Sequence, residues 1–314
     1  MSQPSFSSFS SGSIADRDIL LSYAAGAYWQ NWGDQVLVWT LRLCASIAAL
    51  VIVFILAYRC AQSFPLLGRY GLHGLTRFYT DLTWAPARGQ FNLSPMLVGT
   101  LCATLGAILL AAPLGIATAI FARFYAPTAI IKIVHGVLGL LAGIPSVVYG
   151  LWGLTVFVPW LNTYHPPGFS LLVGIGILTI MVLPTVALVS ESALQAVPRE
   201  HIIGGFALGC SRWQVVRSIV LPAARSGVMT GVILGMTRVI GETMAVTMVM
   251  GNTIRMPDSL FAPVRTLTAH IALEMSFALG DHRAALFTAG LLLLVVVIGL
   301  VLLADRIQRG AAHA

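Results

Sequence analysis

The sequence predicts an all-α, polytopic membrane protein with six transmembrane helices. Of its 314 residues, 58% are hydrophobic and 9% are charged, and the mean hydropathy is +0.88. Such a composition leaves too little polar surface to cover a water-soluble protein of this size. A membrane-spanning helix needs about 20 mostly apolar residues. Windows that meet this requirement lie at 36–58, 95–121, 130–160, 169–194, 227–250 and 284–304.

The apolar windows divide the chain into regions. These are an N-terminal tail (1–33), the first span with the segment after it (34–94), a core (95–306) that contains a polar loop (195–226), and a C-terminal tail (307–314).

Two short loops indicate how the chain is oriented. The connection after the second window carries Arg123 and Lys132, whereas residues 162–168, after the third window, contain no arginine or lysine. Positively charged loops favour the cytoplasmic side. We therefore expect both tails and the 195–226 loop in the cytoplasm, and the segment 59–94 outside.

The third window, 130–160, is too long for one straight helix. Gly143-Ile144-Pro145-Ser146 lies near its middle. Proline lacks a backbone donor, and a break in a membrane helix survives only where neighbouring protein satisfies the freed groups. A helix that is broken at these residues is therefore expected here.

The lysine and cysteine counts argue against two kinds of site. Lys132 is the only lysine and has no glycine-rich turn around it, so the chain lacks a P-loop for ATP. The cysteines show no regular spacing and predict neither a metal site nor a disulfide framework. We expect no metal and no cofactor on this chain.

The loop at 195–226 contains signals for two short helices. A helical run follows Pro198, and Gly209 stands where glycine typically terminates a helix. Ser211 and Gln214 then have the spacing of a capping box, which begins a second helix. Alone, this pattern fits a DNA-binding helix-turn-helix, a fragment of a soluble bundle or a structured loop. Spans on both sides argue against nucleic acid as a partner.

The second helix is expected to end at Leu221-Pro222. Gly209, nine further residues and Ile219-Val220-Leu221-Pro222 together resemble the pattern E-A-A-x3-G-x9-I-x-L-P in membrane subunits of ABC importers. Ile203, Gly204 and Gly205 occupy the E-A-A positions of this pattern. The acidic residue of the pattern is therefore absent, although Glu200 lies one turn earlier. The resemblance implies docking to a separate ATPase through these positions: Glu200, Ile203, Gly204, Gly205, Gly209, Ser211, Ile219, Leu221 and Pro222.

The fifth window carries two charges, Arg238 and Glu242, each costing about 2.5–3.5 kcal/mol at the centre of a membrane helix. On a continuous helix, Gly227, Gly231 and Gly235 share a face about 80° wide with both charges. Glycines at this spacing permit close helix packing, so the face should meet protein or line a cavity. The two charges either form a buried neutral pair, or a buried Arg238 offers a forked donor to an oxyanion such as phosphate while Glu242 holds it.

Three other ionisable residues show no ligand pattern. Glu191, near the end of the fourth window, is expected to be solvated or paired with an arginine. His135 and His270 are expected to be ordinary packed or interfacial residues.

Two runs resemble the phosphate-specific ABC importer permeases, and the PstC subunits above all. They extend from Arg238-Val-Ile-Gly-Glu242 to Gly251-Asn252-Thr253, and from Gly143-Ile-Pro145-Ser146 to Gly153-Leu154. The resemblance implies a type I importer permease in the bacterial inner membrane, with Arg238, Glu242 and Thr243 on the substrate path.

The resemblance also implies partners. These are a second, PstA-like permease, a PstB-like ATPase dimer that uses ATP, a periplasmic PstS-like phosphate-binding protein, and membrane lipid. Other interpretations remain open: a permease for sulfate, molybdate or phosphonate, an ATP-independent anion channel or carrier, and a scaffold without transport.

Overall fold

A computed structural model describes residues 14–81 and 83–310, most of which are helical. The described residues fall into two units, one that ends at Tyr58 and one that begins at Arg59. Residues 34–58, in the first unit, are all exposed in the isolated chain.

The helices of the described ranges are α1 (Ile14–Thr80), α2 (Ser94–Ile120), α3 (Thr128–Gly143), α4 (Ser146–Trp152), α5 (Val158–Asn162), α6 (Leu171–Gln195), α7 (Arg199–Ala207), α8 (Arg212–Val215), α9 (Leu221–Ile240), α10 (Met244–Val249), α11 (Leu267–Glu274) and α12 (Gly280–Gly310). A short antiparallel hairpin, β1 (Trp84–Ala85) and β2 (Gln90–Phe91), follows α1. A 3₁₀ turn at Pro86–Arg88 joins its strands, and π-helical turns occupy Phe121–Tyr125, Gly153–Phe157 and Val216–Val220.

The prediction of an all-α protein with several spans is confirmed. Within the described residues, five helices are long and apolar enough to cross a membrane, or six if one bent pair counts as a span. That pair joins Thr128–Gly143 to Ser146–Asn162 at an angle of 95°. The break is the one predicted at Gly143 to Ser146, where Pro145 holds an extended conformation and supplies no N–H to continue the helix.

The fifth span differs from the prediction at both ends. Helical structure runs from Arg212 to Ile240, so the second helix of the loop does not end at Leu221-Pro222. The π turn at Val216–Val220 already departs from the regular hydrogen-bond pattern, and Pro222 follows it in the first turn of α9 without ending the helix. At the other end α9 stops at Ile240, so the window 227–250 is not one helix.

Helices α2, α6 and α9 pack together and carry much of the core. The glycine face of α9 lies against α6, where a Cβ atom added at Gly227 would stand 2.4 Å from Ala193 Cβ. At Gly235 it would stand 3.0 Å from Val182 Cγ1, and Gly231 is crowded in the same way by α6. Since no larger residue fits without movement, this glycine seam fixes how α9 lies on α6.

The terminal regions are more helical than the sequence indicates. Helix α1 begins at Ile14, inside the predicted tail 1–33, and continues beyond the first window to Thr80. Helix α12 extends to Gly310. The remaining parts of the two predicted tails, 1–13 and 311–314, lie outside the described residues.

Candidate functional site

Arg238 lies in the last turn of α9 and is exposed in the isolated chain. The prediction that its guanidinium is buried is therefore wrong for this chain alone. Its Nη1 donates to Thr185 Oγ1 of α6 at 3.4 Å. An arginine has five N–H donors, and no other hydrogen-bond partner of Arg238 occurs within the part of the chain that the structure describes. Most of its donors are thus free to meet a ligand.

Glu242 does not pair with Arg238 among the described atoms. Since α9 ends at Ile240, the two residues do not share a helical face, and the prediction of one continuous face is wrong. Glu242 Oε1 instead accepts a hydrogen bond from the Ala245 backbone N–H at 3.1 Å. A carboxylate at this position caps the first turn of α10 and complements the positive end of its dipole.

Residues 241–243 form a non-helical break between α9 and α10. Thr243 Oγ1 donates to the Gly241 carbonyl at 3.3 Å, and the Glu242 carbonyl accepts from Thr268 Oγ1 at 2.7 Å. At membrane depth, irregular backbone is tolerated only where protein covers it or where it lines a water-filled cavity. Arg238 and the break therefore mark a polar point in an otherwise apolar region.

A second candidate surface is formed by the helix α7 and the start of α8. Gly209 has φ of 81°, the left-handed conformation that favours glycine at the end of a helix. The Cys210 N–H then donates to the Gly205 carbonyl at 3.2 Å. The predicted capping box is confirmed, because Ser211 and Gln214 exchange both side-chain to backbone bonds.

The structure brings Gly205 and Ile219 of the importer pattern together. A Cβ added at Gly205 would lie 2.6 Å from Ile219 Cδ1, so glycine allows α7 to pack closely on the following helix. Apolar side chains remain uncovered beside this contact, with Ile203 64% and Leu208 86% exposed. Among the other predicted positions, Glu200, Gly204, Gly209, Ser211 and Pro222 are exposed, and Leu221 is partly buried.

The sequence analysis missed a hydrogen-bonded pair between α3 and α6. His135 Nε2 lies 2.9 Å from Glu191 Oε1 and 2.8 Å from Oε2. Glu191 is only 7% exposed and also accepts from Gln195 Nε2 at 3.1 Å. The expectation of a solvated or arginine-paired Glu191 is wrong. His135, expected to be an ordinary packed or interfacial residue, is its partner. A carboxylate within an apolar helix was the one available signal, but its partner is distant in the sequence.

A further polar cluster ties β1 to α11 and α12. Glu274 Oε2 accepts from Trp84 Nε1 at 2.7 Å and from His282 Nε2 at 3.0 Å, and Oε1 accepts from Arg265 Nη1 at 2.9 Å. His270 is completely buried, and its Nδ1 lies 3.2 Å from the same arginine nitrogen.

Burial shifts the ionisation of two residues in this cluster. It lowers the pKa of His270 to about 4, because the charged imidazole loses its hydration. Burial alone would raise the pKa of the Glu274 carboxyl, but the neighbouring His270, the hydrogen bonds from Trp84 and His282, and the Arg265 charge together lower it. A neutral His270 beside an ionised Glu274 is therefore the favoured state. Within residues 14–81 and 83–310, no group of three or more His, Cys, Asp or Glu side chains is arranged to hold a metal ion.

The architecture and these two surfaces agree with a known family of membrane transporters. Residues 111–313 match the family described as "Binding-protein-dependent transport system inner membrane component". The chain belongs to this family. It is a multi-pass inner-membrane permease subunit, not an enzyme, and it works with a partner ATPase and a substrate-binding protein.

The matches to several relatives cover most of the chain. A probable ABC transporter permease, YqgH of Bacillus subtilis, is 40% identical over 79% of this chain and 81% of its own length. The phosphate transport system permease protein PstC of Mesorhizobium japonicum is 37% identical, with coverages of 75% and 78%. PstC of Haemophilus influenzae is 32% identical, with coverages of 89% and 94%.

Solved structures agree on the fold. A chain of the bacterial alginate ABC transporter superposes with a TM-score of 0.64 at 16% identity, covering 90% of this chain and 96% of that one. A chain of the MetNI methionine ABC transporter gives 0.55 at 19% identity, with coverages of 73% and 96%. The fold is therefore that of the type I ABC importer permeases.

Proposed function

We propose that this chain is the permease subunit of an ATP-driven importer of inorganic phosphate and forms half of its translocation path. The observation that carries this proposal is the Arg238 guanidinium, which is exposed beside a helix break and engaged by a single hydroxyl among the described residues. Arginine binds phosphate oxygens through two parallel hydrogen bonds. Relatives named as phosphate permeases, at 32% and 37% identity, support phosphate as the oxyanion.

The exposure of Arg238 fits a path that is completed by a second chain. In this proposal a PstA-like permease covers the open side of α9, so that Arg238, Glu242 and Thr243 border a shared polar route through the membrane. Desolvation by the partner would strengthen the attraction between Arg238 and an anion, since the interaction grows as the local dielectric constant falls.

The apolar side chains that α7 and α8 leave exposed are more favourably buried against a protein partner than left in contact with water. We infer that this surface docks on a PstB-like ATPase dimer, which binds and hydrolyses ATP while this chain binds no cofactor. The sequence around α7 lacks the acidic residue of the importer pattern, and exposed Ile203 stands in its place. Docking would therefore rest on apolar contact at that position.

Because the ATPase is cytoplasmic in this proposal, we infer that α7 faces the cytoplasm. We expect both termini on the same side from the charges of the loops, and the hairpin and α11 in the periplasm. A PstS-like binding protein would deliver phosphate on that side. In this proposal, movement at the docking surface would be transmitted to Arg238 along the helical segment from Arg212 to Ile240.

The test replaces Arg238 with glutamine in cells that lack other phosphate importers and express the complete system. We expect labelled phosphate uptake to fall at least tenfold, because a charge-assisted donor is lost, while the ATPase still co-purifies with the chain. Arg88→Gln, at another exposed arginine, serves as the control and should transport normally. Unchanged uptake by Arg238→Gln would refute the role of this side chain. If sulfate or molybdate inhibited the uptake of labelled phosphate as strongly as unlabelled phosphate does, the substrate would be a different or broader class of oxyanion. If uptake persisted without the ATPase, the chain would be a channel or carrier.

A further inference from the structure

Thr185 differs from the other threonines inside the long helices in how its hydroxyl is used. Thr104, Thr179 and Thr230 each donate to the carbonyl four residues earlier in their own helix, at 2.7, 2.7 and 2.9 Å. Thr185 accepts from Arg238, and its hydroxyl donates to no acceptor in the ranges that the structure describes. A hydroxyl has one donor and two acceptor positions. The Thr185 proton is therefore available while its oxygen engages the arginine.

The place of Thr185 opposite Arg238 follows from the packing of α9 on α6. The glycine seam brings the two helices together with no room for a Cβ at Gly227, so their mutual register is fixed. Arg238 follows the last seam glycine, Gly235, by three residues and therefore lies close to the same face of α9. The hydroxyl and the guanidinium are thus held close together by two packed helices rather than by mobile loops.

We propose that Thr185 is a second phosphate-binding residue, which donates its hydroxyl proton to an oxygen of the anion held by Arg238 and orients the guanidinium through its own oxygen. This inference rests on the proposed function and names a further residue of the same site. A tetrahedral oxyanion offers oxygens in more than one plane. The planar guanidinium engages two of them, and the hydroxyl from α6 reaches a third. A planar carboxylate has only two oxygens, so this arrangement favours phosphate-like anions over carboxylates.

The experiment compares two substitutions at position 185 in the complete importer. Thr185→Val keeps the side-chain shape but removes the hydroxyl, and we expect the maximal rate of labelled phosphate uptake to fall about tenfold, as for a lost hydrogen bond to a charged group. Thr185→Ser keeps the hydroxyl and should retain at least half of the wild-type rate. Thr230→Val on α9 removes an exposed hydroxyl that bonds only within its helix, and it should leave the rate unchanged.

The outcomes separate this inference from the proposed function. Normal uptake by Thr185→Val, with uptake abolished by Arg238→Gln, would overturn the role of Thr185 and leave the permease function intact. Equal losses in Thr185→Val and Thr185→Ser would show that packing matters rather than the hydroxyl, and would also overturn it. Normal uptake by both Thr185→Val and Arg238→Gln would contradict the proposed function as well. All variants are compared at equal amounts of the chain in the membrane and at equal thermal stability.

Discussion

His135 and Glu191 connect α3 and α6 through one imidazole nitrogen that lies within hydrogen-bond distance of both carboxylate oxygens. The contact therefore joins two helices. One is α3, the part of the broken span before its 95° bend, and the other is α6, on which α9 packs. Glu191 is nearly inaccessible in the isolated chain, so its polar oxygens depend on these partners for hydrogen bonds.

We predict that His135→Leu destabilises the chain by about 3 kcal/mol, because a buried carboxylate loses its main partner. The double variant His135→Leu/Glu191→Leu should recover much of this loss, since the buried carboxyl group is gone and the exposed Gln195, which also donates to Glu191, can hydrogen-bond to water instead. Thermal unfolding of the purified chain in detergent measures both effects as a double-mutant cycle.

The exposed His201 provides the control for this pair, and His201→Leu should unfold like the wild type. Purely additive effects of the two substitutions would show that His135 and Glu191 do not stabilise each other.

Glu242 could contribute to transport by capping α10 or through its negative charge, and two substitutions separate these roles. Glu242→Gln keeps an oxygen that can accept from the Ala245 N–H, whereas Glu242→Ala removes it. We predict that the alanine variant loses about 1 kcal/mol of stability, the usual cost of a lost N-cap, together with most phosphate uptake. The glutamine variant should retain both.

Uptake and thermal unfolding of the same two variants are the required measurements. If Glu242→Gln were stable but as inactive as Arg238→Gln, the negative charge itself, and not the cap of α10, would be needed for transport.

The cluster around Glu274 should make stability depend on pH. The folded-state pKa of His270, about 4, lies below its ordinary value of 6.5, so the unfolded chain binds the proton more readily. The contribution of the neutral imidazole is complete above about pH 6.5 and is lost as the pH falls towards 4. The lowered pKa of Glu274 acts in the same direction at still lower pH. We predict a loss on the order of 3 kcal/mol from His270 over this range.

Thermal unfolding between pH 7.5 and 4.5 measures this loss. The charged or titratable groups that meet in the cluster are Arg265, His270, Glu274 and His282. His270→Gln removes the titrating imidazole and should flatten the pH dependence, whereas His201→Gln, at an exposed position, should leave it unchanged. An identical slope in His270→Gln and the wild type would exclude His270 as the origin.

Local signals in the sequence were sufficient for several elements. The break at Pro145, the turn at Gly209 and the capping box at Ser211 all occur as predicted, because each depends on backbone hydrogen bonds or dihedral angles within a few residues. The end of the fifth span was not predictable in this way. Its apolar composition continues past Ile240, and only the packing around residues 241–243 shows where the helix stops.

The sequence by itself determined that this chain spans a membrane, carries an arginine and a glutamate where apolar residues prevail, and resembles the importer permeases, because composition, periodicity and motif spacing are properties of neighbouring residues. The tertiary structure alone decided which side chains meet. It separated Glu242 from Arg238, and it placed Thr185 beside Arg238 and His135 beside Glu191, residues 53 and 56 positions apart. These contacts arise from the way helices pack on one another, and no local pattern encodes that packing.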